Sequence, residues 1–512
     1  MASMWDIVVR FVKRLIAEKV SDEPNSNRPQ EVIAPEPVEP AIEPPSEDTA
    51  EMAQSHADVP RSARVPSTPS RHPHIIQIGL DFGTSYCKCV CRDVNTDKAW
   101  VYVPSQRGVN DPFLLPSALQ VKDGAVCLGN PDSHYHPGGL PHIKMALAAV
   151  GRGLFDDPVL KPFRAMLDSQ LEDRMKAFVT VCGVYLLGGI LGDIKNAIRM
   201  RSEFNDFGEH EKDSLAVNLA VPVADDQDEG VHDLYQRVIE GAFKHADKLA
   251  GHQPIPLADL AQFVPESHGH GEHASESVCF IYPEVSAGVQ GFVRSRVAAS
   301  GVYFFTDTGA GTVDQSVFIL GRRPEGDHLT YLEARVLPLG SSHIERRAAE
   351  QNGGAHWENL DAWRKRKENG MANEELENAR NSIKYKLTNE SETTAFNAAT
   401  KHGRGEQFRE LRLMFGGGGH SEIPYASGVV DSFQSPLIVG PNTLAPNVVG
   451  MPWPRDLEPA NELARWMPRL WVAYGLSFWR GNLADFTYPV KVNGAQPRPV
   501  RDIQPAEERY AL

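Results

Sequence analysis

Apolar and polar positions along the chain fall into three textures. Residues 4 to 20 set Trp5, Val8, Val9, Val12, Leu15 and Ile16 at helical spacing with Arg10, Lys13, Arg14 and Glu18 between them, which predicts an amphipathic helix. Residues 21 to 73 hold eleven prolines and ten acidic side chains with no Phe, Tyr or Trp, a composition that buries too little apolar surface to offset ordering entropy. That segment reads as a disordered linker. From His74 onward, short apolar runs alternate with turn residues. They predict strands at 75–80, 87–92, 100–103, 215–221, 278–282, 301–306 and 316–320, and helices at 231–249, 376–387 and 464–480. Strands separated by helices predict an α/β architecture, followed by a tail over 486–512.

Charge and cysteine content narrow the class. Among 512 residues, 52 Lys and Arg face 67 Asp and Glu, a net charge of −15, so no nucleic-acid partner is expected. Six cysteines, three of them at Cys87, Cys89 and Cys91, do not form a secreted disulfide framework, and a cytoplasmic protein is expected. Those three alternate along a predicted strand, where free cysteines behave as small buried hydrophobes. The longest apolar candidate, Val179 to Leu191, reads as too short to span a bilayer, so any membrane association would be peripheral. Glu266 to His273 is rich in His and Gly and reads as a solvated loop rather than a metal site.

The chemistry concentrates in two segments with one grammar. In IIQIGLDFGTSYCKCVC a strand ends at Asp81, a turn follows at Gly83-Thr84-Ser85, and a second strand carries Lys88. In VYFFTDTGAGTVDQSVFIL a strand ends at Asp307, a turn holds Gly309, Gly311 and Thr312, and Asp314 opens the next strand. Each reads as a β-hairpin whose turn tolerates φ > 0 and presents backbone N–H groups, a geometry that cradles phosphate oxygens. An Asp ending each first strand suits a hydrated Mg²⁺, which keeps several waters between itself and protein carboxylates.

These two hairpins resemble the phosphate motifs of the actin-like ATPase superfamily, and within it the nucleotide-binding domain of the seventy-kilodalton heat-shock chaperones. Further landmarks follow in family order: Leu219-Ala220-Val221-Pro222, the connecting segment Pro283-Glu284-Val285-Ser286-Ala287-Gly288, the Gly-Gly turn in FGGGGHSEIP from Phe415 to Pro424, and Val472-Ala473-Tyr474-Gly475. The resemblance covers roughly residues 75 to 484. It implies a two-lobed, ribonuclease H-like fold around a nucleotide cleft, with lobe I over 74–222 and lobe II with a helical subdomain over 223–485. ATP and Mg²⁺ would be the ligands, with Asp81 and Asp307 around a water-coordinated metal. Gly83, Thr84, Ser85, Tyr86, Gly309, Ala310, Gly311 and Thr312 would surround the phosphates. Lys88 corresponds to a phosphate-contacting lysine of actins, and Lys144, in PHIKMAL, to a chaperone lysine near the γ-phosphate. Glu284, Asp307 and Lys144 would be catalytic, while Arg380, Lys384, Gly418 and Gly419 would bind the nucleoside.

This sequence also departs from the family pattern. Asn381 and Glu422 stand where the chaperones sandwich adenine between arginines, and Gly340 to Arg347 lacks the usual Gly-Gly-acid pattern. The stretch beyond the closing helix, about 30 residues, is expected to be too short for a peptide-binding domain. The function implied is therefore a slow ATPase acting as a conformational switch on a protein partner docked to residues 4–20, with an anionic membrane as the other surface that helix could meet. A non-hydrolysing nucleotide-binding scaffold and a filament-forming actin-like protein are the alternatives.

Overall fold

A computed structural model describes residues 71–104, 111–129, 135–167, 171–222, 228–265, 278–324, 326–371, 373–401, 410–421, 423–434, 446–459 and 466–487. The expected N-terminal helix, the linker up to residue 70, the His-rich segment, Glu422 and the tail beyond residue 487 lie outside the described residues. The protein is mixed α/β. Arg71, expected within the linker, is instead held to the fold: its guanidinium donates to both Asp213 carboxylate oxygens at 2.8 and 2.6 Å. That fork holds the Asp213 carboxyl well below the usual carboxylate range.

The first sheet is built on β1 (Ile75–Phe82), β2 (Tyr86–Asp93), β3 (Lys98–Val101), β4 (Ser214–Val221) and β5 (Cys279–Pro283). Its order is β5-β4-β1-β2-β3, with β1, β2 and β3 antiparallel and β4 and β5 running parallel to β1. Alternation along β1 and β2 sorts their side chains. Ile76, Ile78, Leu80 and Phe82 join Cys87, Cys89 and Cys91 in one core, so the cysteines are buried thiols as their spacing implies. That core is completed by α1 (Ile143–Gly151), α2 (Glu172–Met200) and α3 (Glu229–Leu249). At 29 residues, α2 extends beyond the apolar run seen in sequence and is long and apolar enough to cross a membrane, yet 89% of its most apolar window is buried inside the protein. The described residues between 229 and 283 thus belong with the first sheet, and the lobe boundary expected after residue 222 cuts through one core.

The second sheet repeats the plan. It contains β6 (Gly301–Thr308), β7 (Val313–Arg323), β8 (Gly326–Leu337) and β9 (Arg412–Gly416). Here β6, β7 and β8 are antiparallel, and β9 runs parallel to β6 on its other side. One face of β6 packs with α5 (Ser342–Gln351), α6 (Trp357–Glu368) and α7 (Glu374–Lys401). The other face meets α4 (Glu284–Val293) and α8 (Met467–Leu476). Helix α8 also lies on the first sheet, where a Cβ on Gly79 of β1 would sit 2.1 Å from the Ala473 carbonyl oxygen. Only glycine permits that approach. Asp81, two residues further along the same face, consequently emerges at the end of β1 beside the first turn of α8.

Candidate functional site

Antiparallel register determines what each hairpin presents. In the first, Asp81 stands opposite Lys88, and the Lys88 Nζ donates to the Asp81 carboxylate at 2.6 Å. In the second, Asp307 stands opposite Asp314. Cross-strand neighbours on one face are close enough to interact strongly, so the first hairpin carries an ion pair and the second a pair of like charges. The Thr312 hydroxyl donates to one Asp314 carboxylate oxygen at 2.8 Å, while the other oxygen is buried without a hydrogen-bond partner.

Both hairpins open onto one cavity of about 410 Å³, counting its open mouth. Asp81, Gly83, Thr84, Lys88, Lys144, Glu284, Asp307, Gly309, Thr312 and Gly418 border it, as the motifs anticipate. Lys144 comes from the first turn of α1 and is 2% exposed. Its ammonium is bonded to Glu284, the first residue of α4, where the helix dipole favours an anion. Burial alone would lower the Lys144 pKa, but Glu284, Asp314 and Asp81 outweigh it and the pKa is raised. The Asp307 carboxyl is pushed up to about 7 by burial, then by the charges of Asp81 and Glu284. Burial together with Glu284 raises Asp314 well above the ordinary range.

The turn glycines act through space rather than through φ. Neither Gly83, Gly309 nor Gly311 has positive φ, so the tolerance of φ > 0 that their sequence offers is not used. A Cβ on Gly83 would lie 2.3 Å from the Tyr86 carbonyl oxygen, and one on Gly311 would lie 2.7 Å from Thr84 Oγ1, so bare backbone lets the two turns meet. In the second turn, the carbonyls of Gly309, Ala310 and Gly311 accept from the amides of Ser341, Ser342 and Gly340 at 2.9, 2.8 and 3.2 Å. A trans peptide opposes its N–H to its C=O. The amides of Ala310, Gly311 and Thr312 therefore point away from the start of α5 that holds their carbonyls.

Several expected site residues do not border the cavity. Arg380 and Lys384 on α7 are held elsewhere, Arg380 donating to Glu377 and Lys384 pairing with Asp431, each at 2.7 Å. Gly419 packs against Thr308, the Ser85 carbonyl accepts from the Ser117 amide at 2.8 Å, and Tyr86 lies in register with Pro116. Ala310 and Gly311 contribute turn backbone rather than cavity lining. Asp314, Gly417, Pro468, Arg469 and Val472 border it without having been singled out as site residues. Asp314 was legible as the second acid of its motif. Arg469 carried no signal, since it depends on how α8 lies across β1, and its guanidinium pairs with Asp111 at 3.0 Å.

Two carboxyls with no cationic partner among the described residues, one of them with an orphaned oxygen, sit beside two paired lysines and the turns of both hairpins. Such a set can bridge a divalent cation to an anion. Among the described residues no group of three or more His, Cys, Asp and Glu side chains is arranged to hold a metal directly. No family model matches the chain, and no curated protein matches it.

Proposed function

We propose that the protein binds a nucleoside triphosphate with Mg²⁺ in this cavity and hydrolyses it slowly as a conformational switch, on a two-lobed fold of the actin-like type. The observation that carries the reading is the convergence of two hairpin turns, each with an Asp at the end of its first strand, on one cavity that also holds Lys88, Lys144 and Glu284. The repeated strand order of the two sheets supports the fold assignment. Asp81 and Asp307 would hold the hydrated metal, and the partnerless carboxyl oxygen of Asp314 fits the same demand for positive charge. Bound Mg²⁺ would neutralise charge on the phosphate oxygens. The turn amides orient the phosphates, Lys88 and Lys144 offset the remaining negative charge, and Glu284 orients the attacking water, since catalysis of phosphoryl transfer is mostly positioning and electrostatics.

Calorimetric titration of the full chain with ATP, with and without Mg²⁺, tests the reading. Binding that requires the metal supports it, and no binding at millimolar ATP refutes it. Discrimination between bases is expected to be weak, because Arg380 and Lys384 are engaged elsewhere and do not border the cavity. Affinities for ATP and GTP should differ by less than about thirtyfold, the equivalent of ~2 kcal/mol for a guanidinium stacked on a base. A ratio of several hundred in competition binding would show that other residues read the base.

The partner reading rests on residues 4 to 20 alone. Deleting residues 1 to 20 should leave nucleotide turnover unchanged and abolish recovery of a protein partner or co-sedimentation with anionic vesicles; if neither association changes, the docking role is wrong.

A further inference from the structure

The backbone of the second turn is braced from behind, and the brace leads to a buried lysine in a different helix. Gly340, Ser341 and Ser342 lie flush against the turn, and a Cβ on Gly340 would sit 2.4 Å from the Ala310 carbonyl. Besides its amide, Ser342 donates its hydroxyl to the Ala310 oxygen at 2.6 Å. Behind this segment, Lys367 of α6 donates to the Ser341 carbonyl at 3.0 Å and to the Glu345 carboxylate at 2.6 Å. Both charged side chains are buried, at 8% and 3% exposure.

A buried ion pair is poorly explained by stability, because desolvation offsets much of its attraction and apolar replacement is often neutral. A lysine at the N-terminus of a helix also opposes the helix dipole. Its position makes sense through the peptide groups it touches. The Lys367 ammonium bonds the carbonyl of peptide 341–342, whose N–H donates to the Ala310 carbonyl, and that carbonyl belongs to the peptide whose N–H is Gly311. Hydrogen bonds in such a chain polarise one another, so positive charge at one end strengthens the donor at the other.

We propose that Lys367 is a positioning residue for the second phosphate turn, fixing the start of α5 and polarising the Gly311 amide through two peptide groups, with Glu345 compensating its charge. The inference rests on the nucleotide reading above. Its test uses three full-length variants: Lys367→Gln, Lys367→Arg, and the double Lys367→Met with Glu345→Leu, which removes both charges and keeps an apolar pair if the single glutamine variant fails to fold. Titration with ATP and with adenosine, and hydrogen exchange over residues 308–343 without nucleotide, are the measurements. The glutamine and double variants should bind ATP about tenfold more weakly, exchange the turn segment faster, and bind adenosine like the wild type. Lys367→Arg should stay near wild type. A purely structural role would weaken ATP and adenosine alike, and equal ATP affinity in all four proteins would refute the brace; either result overturns the proposal. A wild-type protein that does not bind ATP would instead overturn the nucleotide reading, and the proposal with it.

Discussion

Asp307→Asn is expected to lower nucleotide turnover on the order of a hundredfold or more while raising the stability of the nucleotide-free protein at pH 8. Asparagine keeps the size of the side chain and removes the charge a cation would need. The stability effect follows from the Asp307 carboxyl, which burial and the charges of Asp81 and Glu284 push up to about 7. An unfolded chain would ionise it near ~3.9. A group whose folded value is raised contributes stability that is fully present below the unfolded value and drains away as pH rises through the folded one. The melting midpoint of the wild type should therefore fall between pH 5 and pH 8, and Mg²⁺ should restore part of it. The asparagine variant should show a flatter profile and no Mg²⁺ response. Asp81→Asn should also lose turnover, but without that stability gain, since it strands the Lys88 ammonium now paired at 2.6 Å. Wild-type turnover in both variants would refute the metal assignment.

What was legible in the sequence had short range. The β1 and β6 hairpins could be read because strand alternation, an Asp and a Gly-rich turn lie within a dozen residues, and both turns border the cavity. The pairing of Asp307 with Asp314 also follows from hairpin register once the turn is known. Long-range facts were not legible. β5 pairs in parallel with β4 across α3 and the segment before it, which no local pattern announces, so the boundary after residue 222 fell inside one core. The apolar run from Val179 to Leu191 read as too short to span a bilayer, yet the helix that carries it continues for 29 residues. Arg380 and Lys384 could be assigned only by resemblance, and local partners one turn away or on a neighbouring helix hold them instead. Arg469 reaches the cavity only because Gly79 lets α8 settle on β1.

The pair formed by Lys144 and Glu284 joins stability to function, and a double-mutant cycle should separate them. Lys144→Met leaves the Glu284 carboxylate buried beside Asp307 and Asp314 with its cation gone, and removing one member of a buried pair typically costs about 3–5 kcal/mol. Glu284→Gln should cost less, because Asp314 and Asp81 also stabilise the Lys144 ammonium. The double variant carries neither charge and retains a side chain of similar volume at each position. Its urea midpoint should lie well above that of Lys144→Met alone, a coupling on the order of 1–3 kcal/mol between residues in contact. On the proposed nucleotide reading, turnover should not recover with stability, since the double variant would lack both the ammonium proposed to face the phosphates and the carboxylate proposed to orient water. All three variants are expected to remain at least a hundredfold below wild type. If Lys144→Met unfolds at the wild-type urea concentration, Glu284 does not depend on Lys144 for its charge. If the double variant regains turnover along with stability, the pair is structural, and the water-orienting carboxylate must be sought among Asp81, Asp307 and Asp314.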